Sequence, residues 1–227
     1  MRILTFFIGI FLVPACVVIT QTAISLVRAI TPLSVTGMPV SGWALVGGFA
    51  FWLLFYFTLS LPVRTYILAH ELTHALWGAM MGARIFKMKI SRESGSVTLS
   101  KSNFLITLAP YFFPLYTVII IAAYYILSIF YDVEVYSPVW LALVGFTWGF
   151  HFTFTISTLL QHQTDIREYG SVFSYTIIYL INVLGICLWI VIVSSATFEQ
   201  MVQFLAIHTR ENACVMKEWA LWIATKY

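Results

Sequence analysis

Charge is what this chain has least of. Of its 227 residues only 9% are Asp, Glu, Lys or Arg, while 61% are hydrophobic and 17% aromatic. Helices built from such a composition cannot keep one face in water, so a soluble globular domain is excluded and an all-α integral membrane protein is expected. No run of Lys or Arg is long enough to serve as a nucleic-acid surface, which excludes that class of partner. Cysteine is scarce too: Cys16, Cys187 and Cys214 form no CxxC pair, and two of them lie in apolar segments. Neither a disulfide framework nor a cysteine-ligated metal follows. Only two aspartates occur, Asp132 and Asp165, beside five histidines.

What is there is apolar length. Spanning a bilayer takes roughly 20 apolar residues. Six segments approach or exceed this: Ile3 to Val27, Trp43 to Leu61, Thr65 to Gly82, Phe104 to Phe130, Pro138 to Leu160 and Val172 to Ser194. The first begins as a signal peptide would, but its apolar run continues past Cys16, and a retained helix is the expectation. Residues 1–196 thus form one polytopic domain. Residues 197–227, with Met201, Phe204, Leu205, Trp219, Trp222 and Ile223 among polar neighbours, read as a helical tail, either at the membrane interface or packed on the domain.

Between the third and fourth segments, residues 83–103 alternate apolar and polar side chains around Glu93-Ser94-Gly95. That pattern predicts a membrane-associated β-hairpin. Arg84, Lys87, Lys89, Arg92 and Lys101 make it the most basic stretch of the chain and assign it to the cytoplasmic side.

One apolar segment contains a cluster of ionisable side chains. In "LAHELTHALWGAMMG", His70, Glu71 and His74 form HExxH. Four residues is about one helical turn, so both imidazoles face one side and can grip one Zn2+, with Glu71 beside the metal-bound water. Ionisable groups at bilayer depth cost a few kcal/mol each and are functional by default. Zinc needs a third protein ligand. On a helical wheel His151, Thr155, Thr158, His162 and Asp165 fall on one stripe, within the segment 138–170. The threonines read as hydrogen bonds between helices, and His151 as a residue behind the ligands or as packing. Asp165 is the expected third ligand, with His162 as competitor or as a residue orienting the ligands. His208, in the polar tail, is expected to be solvated.

Here the chain resembles the site-2 protease family of intramembrane zinc metalloproteases. The likeness runs from "HELTHALWGAMMGARIFKMKIS", with Gly82 near the helix end, through the hairpin and the Ala109-Pro110 element to the Asp165 region. It covers about half the chain and corresponds to a minimal member without a PDZ domain. "HQTDIREYG" departs from the Asn-containing, Pro-rich segment that usually carries the family's aspartate. The resemblance implies zinc held by His70, His74 and Asp165 and Glu71 as general base. It further implies a membrane protein substrate, of the single-span kind, cut within the bilayer. The alternative is a non-proteolytic membrane protein that binds zinc for structure or transport, and such a site would have no need of Glu71.

Overall fold

A computed structural model describes residues 2–30, 40–59, 61–91, 94–161 and 163–226. It is mostly helical, with one two-stranded sheet. Among the described residues three helices are long and apolar enough to cross a membrane, Arg2–Ala29, Glu134–Leu159 and Ser171–Val193, or four spans if the bent pair Phe104–Tyr111 and Leu115–Ser128 counts as one. Large apolar side chains stand fully outward, Phe11 at 82% and Phe57 at 78% exposure. In water they would be an aggregation surface, whereas lipid solvates them.

The chain divides into two compact units. The first holds residues 1–39 and 169–227 and is built from α1 (Arg2–Ala29), α8 (Ser171–Val193) and α9 (Phe198–Lys226). Ile19, Leu26, Cys187, Ala196 and Met201 form its core. Short polar bonds join the helices, among them Thr20 Oγ1 to Tyr179 Oη at 2.7 Å. The tail is therefore packed at its start, through Met201, Phe204 and Leu205. Farther on it is bare, with Trp219 and Trp222 exposed.

Residues 40–168 make the second unit. It contains α2 (Val40–Thr58), α3 (Val63–Met80), strands β1 (Ile85–Ile90) and β2 (Gly95–Leu99), α4 (Phe104–Leu108), α5 (Leu115–Ser128), α6 (Ser137–Leu159) and, at its end, the short α7 (Thr164–Tyr169). Helices α2 and α6 cross at glycines. A Cβ on Gly48 would strike the Ala142 carbonyl, and one on Gly145 the Leu45 carbonyl. Small residues at a crossing let two backbones touch where lipid gives no hydrophobic drive for association. Around that crossing Trp52, Phe150 and Phe154 form an aromatic core. Helix α3 ends before Gly82, whose φ of +73° turns the chain into β1. The strands pair antiparallel, Ile90 opposite Gly95 and Ile85 opposite Leu99.

Two expected segments come out differently. Phe104 to Phe130 is not one helix: α4 and a 3-10 turn (Ala109–Tyr111) meet α5 at an 82° bend. Pro110 and Pro114 supply no amide hydrogen to the helical ladder, and although Ala109 keeps helical dihedrals the chain bends after Tyr111. The polar stripe from His151 to Asp165 does not lie on one helix either, because α6 stops at Leu159 and a break intervenes before α7. His162 lies outside the described residues.

Candidate metal centre

Helix α3 carries His70 and His74 one turn apart, and α7 brings Asp165 to them. The three side chains form the metal-competent group of His, Cys, Asp or Glu found among the described residues. Their converging atoms make a triangle: His70 Nε2 to His74 Nε2 is 3.2 Å, His70 Nε2 to Asp165 Oδ2 is 3.3 Å, and His74 Nε2 to Asp165 Oδ2 is 3.5 Å. Tetrahedral zinc at about 2.0 Å from each ligand requires ligand-to-ligand edges of about 3.3 Å. The donor set, two imidazole nitrogens and one carboxylate oxygen, is one that zinc accepts with a fourth position left open. Both tests of fit are met.

Each of the three side chains is held from behind. His74 Nδ1 lies 2.8 Å from the Ile106 carbonyl. In a continuous helix that carbonyl would accept from the amide of residue 110, but residue 110 is proline, so it is left free for the imidazole. The bond fixes His74 as the Nδ1–H tautomer and leaves the Nε2 lone pair facing the triangle. His70 Nδ1 meets the Tyr66 hydroxyl at 3.3 Å, and Thr158 Oγ1 donates to that hydroxyl at 2.9 Å. Tyr111, fully buried, donates to Asp165 Oδ2 at 3.1 Å and stands edge-on to the His70 ring. Burial disfavours the Asp165 carboxylate, but hydrogen bonds and charge from His70 and His74 outweigh it and hold the carboxyl well below the usual carboxylate range.

Glu71 is buried, at 8% exposure, beneath the first residue of β2. A Cβ on Gly95 would come within 2.7 Å of Glu71 Oε1, so only glycine lets the strand lie this close. Two clefts, of about 350 and 390 Å³, open beside it and share His70, Glu71, Gly95 and Gln163 in their walls. His70 and Glu71 therefore stand at the junction of two accessible spaces, with His74 and Asp165 in the wall of one.

Other residues of the expected stripe have lesser parts. Thr158 makes the hydrogen bond between helices expected of it, to Tyr66. His151 is buried with Nε2 unpartnered, beside a void of about 10 Å³ that His70 also lines. Tyr66 and Tyr111 are the site residues that the sequence reading missed. Tyr66 had a signal, since it precedes His70 by one turn on the same helix face.

Compared with models of known protein families, with curated proteins and with solved structures, the chain gives no match.

Proposed function

We propose that this protein is an intramembrane zinc metalloprotease of the site-2 type, hydrolysing peptide bonds of membrane-spanning proteins. The observation that carries the reading is the ligand triangle with Glu71, the residue after His70, on the wall of both clefts. Held by His70, His74 and Asp165, zinc supplies a Lewis acid and a water of lowered pKa. Glu71 takes the proton of the attacking water and delivers it to the leaving amine, base first and acid second. The Ile106 carbonyl, Tyr66 and Tyr111 keep the ligands aimed while this happens. Strand β2 has one edge paired to β1, and its other edge offers backbone groups to which an unwound substrate segment can add as a strand. Such addition exposes a scissile carbonyl that a helix would hide.

In the arrangement we propose, α1, α2, α3, the bent α4–α5 pair, α6 and α8 make six crossings, with the hairpin cytoplasmic. In intact cells, Ser94→Cys in a cysteine-free background then resists an impermeant thiol reagent while Tyr131→Cys reacts, and the reverse pattern inverts the topology.

The decisive experiment is Glu71→Gln. Zinc stays near one per chain, and cleavage of a single-span substrate falls by about 10²- to 10⁴-fold, the range for removal of a general base. A variant that cleaves at the wild-type rate overturns the hydrolase reading. A zinc site serving structure or transport is the outcome if neither wild type nor variant cuts.

A further inference from the structure

Two clefts meet at Glu71. One, of about 350 Å³, mixes Leu61, Val63 and Phe154 with Ser157, Thr158 and Gln161 in its wall. The other, of about 390 Å³, is more polar and holds Ser102, Thr107, Thr164 and Glu168 besides the residues of the triangle. Strand β2 borders both, with Gly95 at each and Ser96, Val97 and Leu99 along the polar cleft. A segment laid on the free edge of β2 passes from one cleft to the other beside His70 and Glu71.

Glu168 is the acid of the polar cleft that neither holds metal nor moves the proton. It follows Asp165 by three residues on α7, which places both on one helix face about 5 to 6 Å apart. Neither Lys nor Arg lines this cleft, and among the described residues no cation pairs with Glu168. An extended chain advances about 3.3 Å per residue, so Glu168 lies abreast of a substrate position about two residues from the scissile bond.

Resting on the protease reading, we infer that the substrate segment carries Lys or Arg about two residues from the cut bond on one side, selected by Glu168.

The test separates recognition from cleavage. Zinc-loaded, full-length Glu71→Gln protein in detergent is titrated with fluorescent Leu/Ala-rich single-span peptides bearing Lys, Gln or Glu two residues to either side of the central bond. On one side, Lys binds about five-fold more tightly than Glu, the upper end for a solvent-exposed ion pair. The preference shrinks as salt is raised. Adding Glu168→Gln to Glu71→Gln erases it, and adding Glu168→Lys reverses it, with zinc content unchanged as the control for folding. Identical preferences with and without Glu168 overturn the inference. A Glu168-dependent preference in protein whose wild type cuts none of these peptides supports the inference and counts against the protease reading alone.

Discussion

Each compact unit has a histidine bonded to partners from other helices, and the two arrangements differ in what they do with the ring nitrogens. In the first unit His208 Nδ1 meets Glu211 Oε2 at 2.9 Å and His208 Nε2 meets Ser25 Oγ at 2.9 Å. One turn along, Asn212 donates to Gln21 Oε1 at 2.7 Å. The connectivity of serine, histidine and acid is that of a hydrolase triad, yet both nitrogens are spent on neighbours, and the bonds run in a line that ties α9 to α1. In the second unit each metal-site histidine spends one nitrogen on a protein partner and turns the other toward Asp165. A chain of hydrogen bonds fastens helices, whereas lone pairs that converge on one point make a place for a cation.

The strongest way to break this contrast is to remove a converging ligand. Asp165→Ala leaves two imidazoles and a second open position, so zinc is lost at a chelator concentration the wild type withstands, and activity with it. Full zinc retention in Asp165→Ala, with loss in His162→Ala, would move the third ligand to His162. A smaller effect is expected behind the ligands. Tyr111→Phe removes the donor to Asp165 Oδ2 while keeping the ring against His70, and zinc affinity falls by about 10- to 100-fold. An unchanged affinity would show that the ligands need no support from Tyr111. The smallest effect belongs to the first unit, where His208→Gln lowers stability by about 1 kcal/mol, the value of a lost hydrogen bond, and leaves zinc content and cleavage intact. Loss of cleavage with zinc and melting temperature preserved would make the His208 cluster a second functional site.

How much of this was legible in the sequence depended on the range of the interaction. HExxH and the hairpin are local patterns, set by helical and strand periods, and both elements occur where the patterns place them. Asp165 was found by extending a 3.6-residue period through residues that are not one helix; α6 ends at Leu159, and the carboxylate arrives on α7 instead. Scarcity narrowed the choice, because a chain with two aspartates leaves few carboxylates to consider. The bend was written in Pro110 and Pro114, but a sum of hydropathy over Phe104 to Phe130 does not register a missing amide hydrogen. Tyr111 could not be anticipated, since its contact with Asp165 joins positions 54 apart in the chain. His208 was expected in solvent for the same reason: its partner Ser25 is 183 positions away.

The 82° bend gives the second unit a mechanical property. Ile106 and Tyr111, which back His74 and Asp165, lie on one side of the elbow, and the 14 residues of α5 extend from the other. At 1.5 Å per residue α5 is an arm about 21 Å long, so a 1 Å displacement at its far end turns the elbow by only about 3°. A force on the arm's tip would reach the groups behind His74 and Asp165 as a small rotation. Conversely, a protein that gripped α5 along its whole length would hold the elbow itself, and with it the spacing of the ligand triangle.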